Sequence, residues 1–151
     1  MTHDELVSRA GKWLRNTMRC KCVILEPKPW SCDEHVDAIG WNHCGESIVV
    51  ECKASRADWQ RDYRKQWRRH NSGMGFRRYY MVPEELESMA FDHNGAGVLI
   101  VKGRQVIIRT EAACRQDRDW SSEMALLLAR IYWAEECEAR REDRMKGADH
   151  A

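Results

Sequence analysis

The chain has 151 residues, with 25 Lys and Arg against 24 Asp and Glu and a formal net charge of +1. That length suits one domain with a real core, and the near-neutral balance excludes a protein that holds polyanions by bulk charge alone. No apolar run reaches membrane-spanning length, the N-terminus is polar with no secretory pattern, and seven cysteines in an ordinary-sized chain predict reduced thiols and a cytoplasmic protein.

Thr2 opens a helix. Glu5 lies three residues on, as a capping box requires, and Leu6, Ala10, Trp13 and Leu14 follow at helical spacing to an end near Asn16. Val23-Ile24-Leu25 centres a short strand from about Cys20 to Glu26, stopped by Pro27 and Pro29, and Trp30 to Glu34 reads as a loop. His35 to Trp41 is the second strand, with Asp37, Ile39 and Trp41 on one face and Val36, Ala38 and Gly40 on the other. Asn42 to Gly45 is a turn, so this strand and the next form an antiparallel hairpin.

The first half of the stretch Glu46 to Ser55 is the third strand, a buried one. Ile48, Val49 and Val50 are consecutive and apolar, which suits a central strand covered on both sides. Ala57 to His70 is a helix with an aromatic stripe of Trp59, Tyr63 and Trp67, which packs as core in preference to stacking on bases. Arg77 to Val82 is the fourth strand, ended by Pro83, and Pro83 to Leu86 looks like a first helical turn. Val98 to Val101 and Gln105 to Arg109 make a hairpin around Lys102-Gly103-Arg104, and Ala112 to Trp120 is a polar loop or ragged helix. Ser121 or Ser122 caps a long last helix whose buried face carries Met124, Leu127, Leu128 and Ile131; beyond Glu138 the polar composition predicts fraying. Helix, strands, helix, strands, helix is the order of an α/β domain with a mixed central sheet flanked by helices, its core at about 2–138 and its tail at 139–151.

Chemistry concentrates at the end of the third strand. Glu51 and Lys53 share one strand face, and burying such charges costs several kcal/mol each unless they are paired or bound to a metal. The pair is either a self-satisfied seal on a strand end or a catalytic couple. The hairpin lets Asp37 approach Glu51. Two carboxylates suit a hard divalent cation, which polarises a phosphate and acidifies water, and a lysine beside them positions water or stabilises developing charge. Downstream lies a basic sector: Arg56, Arg61, Arg64, Lys65, Arg68, Arg69, Arg77 and Arg78 against only Asp58 and Asp62. It is either a solvated helix face or a grip on a phosphate backbone.

These residues carry a family resemblance. Val36-Asp37, followed fourteen residues later by Glu51-Cys52-Lys53, resembles the PD-(D/E)XK nuclease superfamily, with Val36 where the motif's proline stands. The extended block Glu51-Cys52-Lys53-Ala54-Ser55-Arg56-Ala57-Asp58-Trp59, with Asp37 to Trp41 before it and Arg78 to Pro83 after it, is similar to a bacterial and phage branch near the MmcB-like DNA-repair proteins over roughly residues 20–100. The resemblance implies a restriction-endonuclease-like fold and Mg2+-dependent DNA cleavage, with Mn2+ able to substitute. Carried over residue by residue, Asp37, Glu51 and Lys53 are catalytic, and Asp37, Glu51 and the Cys52 carbonyl hold metal. Glu5 or Glu26 supplies an accessory acid. Ser55, Asp58 and Asp62 support from behind, and Arg56, Arg61, Arg64, Lys65, Arg68, Arg77 and Arg78 contact DNA. Related small nucleases pair so as to cut two strands, which makes a homodimer one expectation.

Two other readings stay open at this point. One is a catalytically silent DNA- or partner-binding module on the same fold. The other is a zinc-stabilised binding protein, since Cys20, Cys22, Cys32, His35, His43 and Cys44 crowd one span, although they lack two Cys-X-X-Cys knuckles.

Overall fold

The computed structural model of the chain describes residues 1–27, 34–66, 73–90 and 95–148, the side chains of 62–66, 142–144 and 146–148 excepted. Helix α1, His3–Asn16, starts as its sequence dictates. The Glu5 N–H donates to Thr2 Oγ1 at 3.2 Å and the Thr2 N–H donates to Glu5 Oε2 at 2.8 Å, so two of the orphan donors at the helix start are satisfied reciprocally. Its apolar face of Leu6, Val7, Ala10, Trp13 and Leu14 is fully used in the core.

The described residues form a six-stranded mixed sheet in sequential order: β1 Cys22–Leu25, β2 Ala38–Trp41, β3 Ser47–Cys52, β4 Arg77–Pro83, β5 Gly97–Lys102 and β6 Gln105–Thr110. β1, β2 and β3 run antiparallel, β3, β4 and β5 parallel, and β6 returns antiparallel. The β2–β3 hairpin predicted from the turn is present, with Gly45 at φ +76 in the left-handed region that side chains resist. β3 is buried at every position, as its unbroken apolar run requires. Helix α2, Arg56–Gln66, follows β3; the rest of the predicted 57–70 helix, with Trp67, Arg68 and Arg69, lies outside the described residues. A short 3-10 turn at Glu84–Leu86 follows Pro83, and helix α3, Trp120–Ala148, ends the chain's regular structure.

Among the described residues, three buried clusters fill the interior. α1 packs on Ala38, Ile48, Val50, Cys52, Tyr79, Met81 and Leu99 on one sheet face. On the opposite face Trp59 of α2 packs with Tyr80, Val82, Val98 and Ile100, its ring edge-on to Tyr80 at 5.3 Å. Beside it, Leu126 of α3 packs with Ile39, Trp41, Val49 and Met74. Among the described residues no helix is long and apolar enough to cross a membrane, and Cys20, Cys22, Cys44, Cys52, Cys114 and Cys137 are free thiols.

Five expectations need correction. β2 begins at Ala38, not His35, and Val36 packs with Ile39 and Trp41 instead of with Ala38; alternation holds only inside a hydrogen-bonded ladder, and Asp37 stands just outside it. β1 begins at Cys22, not Cys20, because the chain bends at Lys21; Cys20 enters the α1 cluster and Cys22 packs against the opposite one. α3 is capped by Asp119, whose Oδ1 accepts the Ser122 N–H at 3.0 Å, instead of by Ser121 or Ser122. Its buried face carries Ser122, Glu123 and Leu126, while Met124, Leu128 and Ile131 are exposed. The backbone of α3 stays helical to Ala148, well past Glu138.

Candidate active site

Glu26 and Asp37 meet just beyond the ends of β1 and β2. The β1–β2 ladder pairs Leu25 with Ala38 and the β2–β3 ladder pairs Ala38 with Val50. One step beyond the first ladder the Asp37 carbonyl accepts the Glu26 N–H at 2.8 Å, and Asp37 reaches β3 through its side chain. Asp37 Oδ2 accepts the backbone N–H of Cys52 at 2.7 Å, so its carboxylate is fixed against the peptide between Glu51 and Lys53. Lys53 Nζ lies 3.9 Å from Glu51 Oε2, and both side chains are largely buried. The Lys53 N–H donates to the Met81 carbonyl at 3.0 Å, which keeps the chain straight past the end of β3.

The other partners of these acids were not foreseen. His3, at the first turn of α1, places Nε2 3.5 Å from Asp37 Oδ1 and 4.0 Å from Glu26 Oε1. Its signal in the sequence is weak but physical: a protonatable ring at a helix N-terminus opposes the helix dipole and calls for facing acids. Glu51 Oε1 accepts from Arg78 Nη1 at 3.1 Å, and Arg78 Nη2 donates to Glu34 Oε1 and to the Met74 carbonyl at 2.9 Å. Glu34 Oε2 in turn accepts the Met74 N–H at 2.6 Å. The chain Glu34–Arg78–Glu51 is thus a largely buried acid–base–acid relay. Its two carboxylates raise the Arg78 guanidinium against the lowering effect of its burial.

The remaining predicted residues scatter. Glu5 is spent in the capping box, and it lines an open groove of about 620 Å³ with Asp4, Arg9, Pro83, Glu84 and Glu85, whose acids repel a polyanion. Ser55 Oγ accepts the Asp58 N–H at 3.2 Å and so caps α2, while Asp58 lies 3.7 Å from Arg61 in the first turn. Arg61 and Arg56 are exposed on α2, the Arg56 Nε resting against Met89 Sδ at 2.9 Å. Arg77 is turned inward, its Nη1 donating to the Ala112 carbonyl at 3.0 Å, and Arg78 belongs to the relay, so neither charge faces outward as the DNA-contact reading expects. The side chains of Asp62, Arg64 and Lys65, and Arg68 altogether, lie outside what is described.

Metal chemistry can be tested against these donors. Two carboxylates and a neighbouring backbone carbonyl are the hard oxygen set that Mg2+ takes. Among the described residues, however, no three His, Cys, Asp or Glu side chains converge as a metal site. For zinc, Cys32 lies outside the described residues and Cys44 is exposed beside His43 at 3.3 Å. Burial, then the neighbouring Cys22, pushes the Cys20 thiol up to about 11.

Burial gives the pH dependence a sign. Desolvation, with Asp37 and Glu51 beside it, pushes the Cys52 thiol up strongly, and desolvation with the bond to Glu111 raises Tyr79 to about 12. A group raised in the folded state contributes stability that is complete below its unfolded value and lost as pH climbs through the folded one. For Cys20 that window is 9.0 to about 11. Stability is therefore expected to fall between about pH 9 and about pH 11, read as a shift of the urea midpoint to lower denaturant. An unchanged midpoint would mean that these thiols ionise freely in the fold.

No family model and no curated protein matches the chain. Among solved structures, a protein of unknown function from Silicibacter pomeroyi is similar, with 24% identity and a TM-score of 0.65, over 93% of this chain and 92% of that one. At that identity the likeness carries the fold alone: the sheet and helices described here recur as one arrangement in a second protein.

Proposed function

We propose that the protein is a metal-dependent DNA nuclease of the PD-(D/E)XK type, with Asp37, Glu51 and Lys53 as its catalytic residues. The observation that supports this most is the seating of Asp37 on the Cys52 N–H, between the acid at 51 and the amine at 53. Asp37, Glu51 and the Cys52 carbonyl would hold Mg2+ or Mn2+, and when bound the ion supplies the charge that polarises a phosphodiester and acidifies water. Lys53 is held by Glu51 in a mostly buried setting, where an ammonium stabilises developing negative charge far better than in water. Glu26 and His3 lie on the outer side of Asp37, and Glu26 is the accessory acid in closer company with the site than Glu5. Arg56 and Arg61 grip DNA from α2. The resemblance to a bacterial and phage branch supports a role in phage or bacterial DNA processing or repair.

The test is a cleavage panel over duplex, nicked, flap and single-stranded DNA with Mg2+ and Mn2+. Nicking or degradation of at least one substrate is expected, and it should stop with EDTA. One observation favours a second reading, a silent DNA-binding module: Glu51 already carries Arg78 on one oxygen and Lys53 near the other. Binding without cleavage across the whole panel selects that reading. Under either reading, replacing Arg56 and Arg61 together by Ala is expected to weaken DNA binding and to lower the slope of log affinity against log salt by about two. A slope that stays put would make this flank of α2 a solvent face.

A further inference from the structure

α3 is buried on one side and apolar on the opposite, exposed side. Ser122 and Leu126 are buried against the sheet. Trp120, Met124, Leu128, Ile131 and Tyr132 are each more than half exposed. At about 100° per residue these five fall within an arc of about 120°, centred opposite the buried pair. From Ile131 to Arg140 every residue but Glu136 is exposed, so the helix leaves the body of the protein carrying this stripe at its root. The stripe offers about 500 Å² of contiguous apolar surface, taking about 100 Å² from each large side chain. That is the scale at which exposed patches mark interaction sites. With rim residues such as Ser121, Leu127 and Glu135 it approaches the roughly 800 Å² that each partner gives to a stable dimer.

The order of side chains identifies the partner. Trp120, Met124, Leu128 and Tyr132 are spaced at i, i+4, i+8 and i+12, aromatic at both ends and flexible aliphatic in the middle. Such a row reads alike in both directions. Laid antiparallel on its own copy about a two-fold axis, it sets Trp120 against the partner's Tyr132 and Met124 against the partner's Leu128. Rows spaced by four interlock as ridges into grooves, with helices crossing near −50°. The ends are already ordered: the Arg118 guanidinium stacks 3.4 Å over the Trp120 ring, and Tyr132 meets Trp133 edge-on at 5.9 Å. Pre-ordered aromatic anchors of this kind dominate interface energetics.

We infer that the exposed stripe of α3 is a two-fold interface with a second copy of this chain. It rests on the helix alone and stands whether or not the site cleaves DNA. The test is sedimentation equilibrium of the full chain at micromolar concentration. Wild type is expected at twice the monomer mass, and Leu128→Glu and Met124→Lys are each expected to raise the dissociation constant about 100-fold or more. Both positions are exposed, and unchanged circular dichroism shows that the variants fold. Mixing the two variants is expected to restore the dimer, because the antiparallel register brings Glu at 128 against Lys at 124 of the other copy. A wild-type monomer at about 100 μM, well above the dissociation constant of a stable dimer, overturns the inference and leaves the stripe to some other partner. A dimer that survives both substitutions overturns it too, by placing the interface elsewhere; mixed variants that stay monomeric overturn the antiparallel register.

Discussion

Lys53→Ala is expected to slow DNA cleavage about 10²- to 10³-fold, the usual loss when one fixed cationic or hydrogen-bond donor to developing charge is removed. Burial is the reason for so large an effect. The ammonium sits beside Glu51 with little solvent access, so its field is poorly screened and no water of equal strength takes its place. The fold should tolerate the change. Glu51 keeps Arg78 at 3.1 Å, and the Lys53 backbone keeps its bond to Met81, so the unfolding midpoint should move little. Single-turnover cleavage, with DNA affinity measured separately, checks both halves. Loss of binding with the rate intact would make Lys53 a phosphate anchor only. An unaltered rate would leave the strand end a structural seal.

Glu123→Ala is expected to destabilise the protein by about 3–5 kcal/mol, the cost of stranding one member of a buried ion pair. Glu123 is 1% exposed, yet it gathers three hydrogen-bond donors and one ion pair. Its Oε1 accepts from Ser47 Oγ at 2.8 Å and from the Gly75 N–H at 2.8 Å, its Oε2 accepts from Trp41 Nε1 at 3.4 Å, and Arg118 Nε pairs with it at 3.3 Å. Removing the carboxylate leaves a buried guanidinium and three donors without their acceptor, and it unties α3 from β2 and β3. Urea denaturation gives the free energy. Glu123→Gln keeps the shape and should cost less. A loss under about 1 kcal/mol for the Ala variant would mean that water replaces the lost contacts and that apolar packing, led by Leu126 and Leu127, secures α3.

Local signals carried much of this fold. Thr2 and Glu5 announce α1 because a capping box uses neighbours only. Asn42 to Gly45 announces the hairpin, and Trp59 with its helical spacing announces which side of α2 meets the sheet. α3 shows where periodicity fails. Leu126, Leu127 and Leu128 are consecutive, so an apolar stripe can be drawn on either side of the helix, and only packing decides that Leu126 faces inward. The candidate site splits in the same way. Asp37, Glu51 and Lys53 could be grouped because a hairpin register is local, whereas Arg78 reads in sequence as a surface charge until the fold brings Glu34 to it from 44 residues away. His3 reaches Asp37 only because α1 lies over the sheet end.

The Glu34–Arg78–Glu51 relay constrains how this chain can change over generations. Its three charges sum to minus one and largely hide from solvent, so each position is hostage to the other two. Trading Arg78 for a neutral residue takes the guanidinium from two acids at once, with Glu51 retaining Lys53, and the tolerated exchange is a joint one in which Glu34 turns apolar in the same step. Positions 34, 51 and 78 should therefore drift together or not at all, and a randomised library selected for folding should return them as correlated sets.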